Sequence, residues 1–172
     1  MKQTVFLLLL SALSLLADEK WPGVAFTEVR AYAWKQSEKE DYRALILEDK
    51  SFVPGVINPE GAILTPEEVK QLLAAITGEH PRYSRASCYV PHNAFVFYDA
   101  AKKPVAFYEV CFACRRRRAE PLKGLAGYLD FPALAAILAA HKLSWGADED
   151  ATEFKKRFDS ELIKEEAEPP EK

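Results

Sequence analysis

The chain has 172 residues, of which 49% are hydrophobic and 12% aromatic, and its formal net charge is −3. This length is enough for one domain with its own core, and the composition is that of a globular protein rather than a disordered one. The acidic balance excludes a protein that binds nucleic acid through overall positive charge, so we expect no nucleic-acid partner.

The first 17 residues have the parts of a secretory signal peptide. Lys2 supplies the positive charge, residues 5–16 are almost entirely apolar, and Ala17 is a small residue at a plausible cleavage point. Cleavage after Ser14 is the alternative. The apolar run of about 12 residues is short against the roughly 20 that span a bilayer, so this segment would hold the protein at a membrane only if uncleaved. We therefore expect an exported protein, periplasmic or secreted.

A single domain is expected over residues 18–166, followed by a disordered tail at residues 167–172. Apolar and aromatic residues alternate from Val24 to Trp34, which predicts a first strand, and residues 42–47 predict a short second one. The glycines and prolines of residues 49–61 predict a loop.

A helix is predicted to begin at Thr65, which can cap the first turn together with Glu68, and to end at Gly78. A second helix is predicted at residues 131–143 with Asp130 as its cap. In the acidic C-terminal region, Phe154, Phe158 and Leu162 recur every four residues and predict a third.

The strongest strand signals form a hairpin at about residues 94–112, where Ala94–Tyr98 and Val105–Phe112 are joined by a polar turn. A further short strand is expected at residues 85–89. Together these elements predict an α+β fold, in which an antiparallel sheet of four or five strands packs against two or three helices.

All three cysteines lie at the ends of this hairpin, and His92 lies among them. With a four-residue turn at residues 100–103, Val96 faces Phe107 and His92 faces Cys111, whereas a three-residue loop moves the pairing by one. In either register the hairpin brings together the ends that carry Cys88 and Cys114.

The main interpretation of this cluster is a tetrahedral zinc site. Three thiolates and one imidazole are ligands that zinc prefers, and a closed site of this kind would stabilise the fold rather than catalyse a reaction. The four predicted ligands are Cys88, His92, Cys111 and Cys114.

Two alternatives stay open. An exported protein can keep a disulfide, so Cys88 could pair with Cys111 or with Cys114 and leave one thiol over. The third interpretation is a redox dithiol of Cys111 and Cys114, whose thiol pKa the neighbouring arginines could lower.

The hairpin and its flanks also carry the pattern C-x2-P-[RH]-x-A-x-x-F-Y-D, K-P-V-A and C-F-x-C, and in this pattern the chain resembles a set of small exported bacterial proteins. The resemblance covers about a sixth of the chain and implies that these residues act as a unit, but it implies no activity. Lys102 departs from it, since such hairpins often have Gly or Asn in the turn. The matching residues are Cys88, Pro91, His92, Ala94, Phe97, Tyr98, Asp99, residues 103–106, Cys111, Phe112 and Cys114.

The densest charge run in the chain comprises Arg115, Arg116, Arg117 and Arg118. It could bind an anion or an acidic partner, but a solvated loop that balances the acidic C-terminal region is the favoured interpretation. Glu109 is expected on the solvent face of its strand, and His141 is expected to be a hydrogen-bonded core residue.

The sequence contains no H-E-x-x-H motif, no P-loop, no dinucleotide-binding glycine pattern and no nucleophile elbow. Their absence does not exclude an enzyme, but it favours a binding or structural protein. The sequence therefore predicts an exported binding or structural module stabilised by zinc, with the redox protein and the metal-free disulfide domain as alternatives.

Overall fold

The computed structural model describes residues 21–35, 43–146 and 149–163. Within these ranges the chain forms one antiparallel sheet of five strands and three helices, which confirms the predicted α+β fold. In chain order the elements are β1 (Glu28–Ala33), β2 (Ala62–Ile63), α1 (Pro66–Thr77), β3 (Asn93–Tyr98), β4 (Pro104–Cys111), β5 (Arg116–Glu120), α2 (Phe131–Ala140) and α3 (Ala151–Ser160).

The strands lie in the order β2-β1-β3-β4-β5, so β3 is central and β5 forms one edge. Side chains alternate between the two faces of the sheet. On one face, Phe95 and Tyr108 belong to the core that includes the buried residues of all three helices. On the other, Val96 and Phe107 pack against a loop formed by residues 45–53. Because both faces are covered, Asn93–Phe97 are all buried.

The predicted hairpin is formed by β3 and β4, and Val96 lies opposite Phe107 as a four-residue turn requires. Nearer the turn the register shifts by one residue, so that Tyr98 pairs with Pro104. Asp99 orders the turn, because its carboxylate accepts hydrogen bonds of 2.9 Å from two peptide N–H groups within it.

The helix starts follow the predicted caps. Thr65 accepts a hydrogen bond from the N–H of Glu68, and the Glu68 carboxylate accepts one from the N–H of Thr65, which completes a capping box at the start of α1. Asp130 caps α2 and Asp150 caps α3. The predicted end of α2 is three residues too late, since the helix ends at Ala140.

Three strand predictions are wrong. Of the strand predicted at residues 42–47, the part from residue 43 onward contains only an isolated bridge between Ile46 and Phe52. Residues 85–89 have no strand structure. The run that begins at Arg115 was predicted to be a loop, but it enters β5, where alternate side chains can be buried against the sheet.

None of the helices in the part of the chain that the structure describes is long and apolar enough to cross a membrane. The predicted signal peptide at residues 1–17 and the predicted tail at residues 167–172 lie outside the described residues.

Candidate functional site

A disulfide joins Cys88 to Cys114, with their Cα atoms 5.8 Å apart. Cys114 lies in the tight turn between β4 and β5, and its carbonyl oxygen accepts a hydrogen bond of 3.1 Å from the N–H of Ala86. The disulfide thereby fixes residues 84–88, which we call the strap, to the β4–β5 turn. A disulfide is consistent with a protein that functions outside the cytoplasm.

The predicted zinc site is therefore wrong. Two of its four ligands, Cys88 and Cys114, are consumed by the disulfide, and a bonded sulfur is no thiolate ligand. Among the described residues, no group of three or more His, Cys, Asp or Glu side chains is placed to hold a metal ion. The structure supports the alternative of a metal-free domain with a disulfide.

His92 keeps the backbone position that the hairpin predicts but serves as a packing residue. Its N–H donates to the carbonyl oxygen of Val110 at 3.3 Å. Its ring lies so close to Gly146 that a Cβ at that position would come within 2.9 Å of it. Burial lowers the pKa of His92, which favours the neutral imidazole.

Cys111 is the free cysteine, and it is buried. Its sulfur accepts a hydrogen bond of 3.2 Å from the N–H of Cys114. Burial raises the pKa of the Cys111 thiol, so little of the reactive thiolate is present at neutral pH. With Cys114 bonded elsewhere, the predicted Cys111–Cys114 redox pair does not form in this structure.

Two tyrosines anchor the chain on either side of the strap, each on a different face of the sheet. On the helix face, buried Tyr83 accepts a hydrogen bond of 2.9 Å from the N–H of Leu129. On the loop face, the Tyr89 hydroxyl donates to Glu109 at 3.1 Å. The strap therefore passes around the end of the sheet at the β4–β5 turn.

Glu109 is fully buried, so the prediction that it faces solvent is wrong. One of its carboxylate oxygens accepts hydrogen bonds from the N–H groups of Leu45 and Ile46, at 3.0 and 2.8 Å, and from Arg118 at 2.8 Å. The other oxygen accepts from Tyr89. Burial raises the pKa of Glu109, while these donors and the Arg118 charge act in the opposite direction.

A weak signal for this network exists in the sequence. Glu109 is a carboxylate inside an apolar strand, and Arg118 follows it nine residues later across a short turn. Once β5 is recognised as a strand, Glu109 and Arg118 fall directly opposite each other. The sequence alone does not reveal the pair, because the run of four arginines lacks the alternating pattern of a strand.

The arginine run presents its side chains on both faces of β5. Arg116 and Arg118 lie opposite Cys111 and Glu109 and share their face, whereas Arg117 is directed to the other. The Arg116 guanidinium donates to the carbonyl oxygen of Ser87 in the strap at 3.1 Å.

Arg115 lies in the β4–β5 turn, ahead of the strand. Its guanidinium forms an ion pair with Glu161, and it lies over the ring of Phe158 with 5.5 Å between the guanidinium carbon and the ring centroid. Arg115 is thereby joined to the last helix of the protein.

Two open grooves of about 480 and 520 Å³ lie beside the strap, and Ser87, Arg116 and Arg117 line both. We refer to them together as the arginine grooves. Among the described residues that line them none is acidic, and six are arginines: Arg43, Arg85, Arg115, Arg116, Arg117 and Arg118.

The chain matches no family model, no curated protein and no solved structure. The protein can therefore be described only by its own fold and by the residues of its candidate site. Over the residues that the structure describes, it is an α+β domain with one disulfide and an arginine-rich surface around that disulfide.

Proposed function

We propose that the protein is an exported binding domain that holds an anionic ligand in the arginine grooves. The observation that carries this proposal is the composition of the groove walls, in which six arginines meet beside one disulfide. Arg115 and Arg118 are paired with Glu161 and Glu109, so Arg116 and Arg117, which line both grooves, carry the proposal. In a chain with a net charge of −3, such a concentration of positive charge is local and requires a specific arrangement of the backbone.

Arginine suits this role because its planar guanidinium has five N–H donors and can bind a carboxylate, phosphate or sulfate through two parallel hydrogen bonds. The intramolecular contacts leave donors for a ligand. In Arg116, for example, a single guanidinium nitrogen is used by Ser87. Such contacts hold the side chains in place before a ligand arrives, which reduces the entropy lost on binding.

The proposed export has two supports. The first is the signal-like segment at residues 1–17, with its charged start and apolar centre. The second is the disulfide, which persists in oxidising compartments and is rare in the cytosol. In such a compartment the strap stays fixed, so the groove walls keep their geometry.

The proposal is tested by titrating the 15N-labelled protein with inorganic pyrophosphate at low ionic strength. We expect saturable chemical-shift changes at Arg116, Arg117 and the strap. The affinity should decrease as salt is added, because exposed charges are screened within about 10 Å at 0.1 M ionic strength.

The variant for this test is Arg116→Gln with Arg117→Gln, and its matched control is Lys70→Gln with Lys103→Gln. Each double variant removes two positive charges, but the control changes α1 and the hairpin turn. We expect about tenfold weaker binding in the arginine variant and little change in the control. Equal weakening in both double variants, or an absence of saturable binding of pyrophosphate, polyphosphate and an acidic peptide alike, would contradict the proposal.

A further inference from the structure

β5 is an edge strand, and two of its residues, Arg116 and Arg117, line both arginine grooves. In the described part of the chain, β5 pairs only with β4 and ends the sheet. The backbone of the strap hydrogen-bonds to Cys114 in the preceding turn, and none of the backbone hydrogen bonds among the described residues joins the strap to β5. Peptide groups that point outward from an edge strand are a template for a further strand.

From this edge and the charges beside it, we propose that the ligand is an extended acidic segment of another polypeptide, which adds to the sheet as a sixth strand beside β5. This inference rests on the proposed function, because it names the ligand class of the same arginine grooves. Strand addition is an established mode of peptide binding, in which main-chain hydrogen bonds give affinity and alternate side chains give specificity.

The alternation along β5 favours a run of acidic residues. A strand beside β5 would direct successive side chains to opposite faces of the sheet. On one face they would meet Arg116, next to Arg118, which is already paired with Glu109, and on the other they would meet Arg117. Consecutive Asp or Glu residues would therefore all face arginine, whichever face each one occupies.

The charges on β5 also limit where the acidic run can lie. Glu120 ends the strand and forms an ion pair with Lys50. A carboxylate opposite Glu120 would be repelled, since like charges directly opposite each other destabilise a strand pair. The acidic residues are therefore expected beside residues 116–118, with uncharged residues beyond them.

The same charges disfavour a second copy of this chain as the occupant. Two β5 edges paired with each other would place arginines against arginines, which costs free energy and is a common protection against edge-to-edge association. A polyphosphate or a sulfated glycan could satisfy the arginines, but it has no peptide N–H and C=O groups to pair with the edge. An acidic polypeptide has carboxylates that can bind the arginines and main-chain N–H and C=O groups that can pair with the edge of β5.

The test uses an acetylated, amidated octapeptide of three glutamates followed by threonines and valines, and measures its binding by NMR titration. We expect saturable binding, slower hydrogen exchange of β5 amides and nuclear Overhauser contacts between the peptide backbone and β5. Two control peptides carry the same side chains but are N-methylated at alternate residues. One is methylated at the odd positions and the other at the even positions, because only every second N–H of an added strand points toward β5. N-methylation removes main-chain donors and should weaken binding about tenfold or more in one version.

A charge exchange checks the role of the arginines. The variant Arg116→Glu with Arg117→Glu, verified as folded by circular dichroism, should lose the glutamate peptide and bind the corresponding lysine peptide instead. A polyphosphate chain of matched charge is titrated alongside.

The outcomes separate this inference from the proposed function. Equal affinity of the unmethylated and both N-methylated peptides would overturn strand addition. Binding of polyphosphate or pyrophosphate without binding of the peptide would overturn the inference and leave the anion-binding proposal standing, whereas failure of all anionic probes would overturn both. Concentration-dependent dimerisation through β5, observed by sedimentation, would assign the edge to a second copy and also overturn the inference.

Discussion

At the scale of single residues, Glu109 is a buried carboxylate that accepts four hydrogen bonds. Its carboxylate accepts from two peptide N–H groups of the covering loop, from Arg118 and from Tyr89, while the residue itself is 0% exposed. It connects β4, β5, the covering loop and the residue that follows the strap. A buried carboxylate is tolerated in this position because both of its oxygens accept hydrogen bonds and Arg118 supplies the opposite charge.

We predict that Glu109→Leu lowers the free energy of unfolding by about 3 kcal/mol or more, because it leaves Arg118 and the two peptide donors without their acceptor. Glu109→Gln keeps one acceptor oxygen and should cost distinctly less. Urea unfolding monitored by tryptophan fluorescence measures both. An equal cost for the two variants would show that volume, rather than hydrogen bonding, determines stability at this position.

The raised pKa of Glu109 also predicts the direction in which the free energy of unfolding changes with pH. Its pKa in the folded state is raised by burial, so its contribution to stability is full below the ordinary glutamate value of about 4.3 and is lost as the pH rises through the folded-state pKa. The free energy of unfolding of the unaltered protein, minus that of Glu109→Gln, should therefore decrease as the pH is raised from 4 toward 7. An increase over that range would contradict the raised pKa.

The free thiol of Cys111 gives a second test at this scale. Because the residue is buried and its pKa is raised, we expect no reaction with iodoacetamide in the native state, one adduct after unfolding, and three after unfolding and reduction. Intact mass spectrometry counts the adducts. A native-state adduct would show that the thiol is accessible, and three adducts without reduction would exclude the disulfide.

At the scale of secondary-structure elements, one residue of the hairpin turn has a left-handed backbone conformation that its residue type does not predict. Lys102 has φ of +61°, in the left-handed region that favours glycine or asparagine. A lysine in this conformation is strained in a way that glycine would not be. Its ammonium group forms an ion pair with Glu28 on β1, which offsets part of the strain.

We predict that Lys102→Gly changes the free energy of unfolding by less than about 1 kcal/mol, because relief of the left-handed strain offsets the loss of an exposed ion pair. The matched control is Lys103→Gly, at the neighbouring position, where φ is not positive and glycine only adds freedom to the unfolded chain. The control should be the more destabilising variant in urea unfolding. The opposite order would mean that the Glu28 ion pair dominates the turn.

The elements also show how far the sequence could predict this protein. Caps and periodicity located α1, and alternation located β3 and β4 with their register, because these signals depend on neighbouring residues. β5 could not be predicted from Arg116, Arg117 and Arg118, since its place in the sheet depends on the turn at Cys114 and on contacts from distant segments. Burial of Glu109 likewise depends on Leu45 and Ile46, more than sixty residues away.

The cysteine cluster was located correctly but interpreted wrongly. A hairpin is predicted to bring its two ends close together, and the Cys88–Cys114 disulfide confirms that they meet. The choice between metal and disulfide depends on where each side chain points. Strand alternation and the turn after Cys111 separate that thiol from the other two, and residue spacing alone does not contain this information.

At the scale of the whole molecule, the disulfide connects a long irregular segment to the edge of the sheet. Cys88 and Cys114 are 26 residues apart. In the chain-entropy description, a loop of this size stabilises the folded state by about 3.5 kcal/mol, because it removes conformations from the unfolded chain.

We therefore predict that Cys88→Ser with Cys114→Ser lowers the free energy of unfolding by about 3.5 kcal/mol and also weakens pyrophosphate binding, since the strap that carries Ser87 is no longer fixed. Urea unfolding and the NMR titration measure the two effects. The unaltered protein kept in dithiothreitol provides the comparison and should behave like the double variant. Full stability without the disulfide would show that the two tyrosine anchors hold this segment alone.

The disulfide has a further consequence for the connectivity of the molecule. It closes residues 88–114 into a covalent ring that contains both strands of the hairpin, with the Lys102–Lys103 bond at the tip of that ring. Cutting the backbone there leaves two polypeptides that are still linked, one carrying β1–β3 and the other β4, β5 and the last two helices. Two polypeptides divided at the hairpin tip would therefore remain one covalent molecule as long as the disulfide is intact.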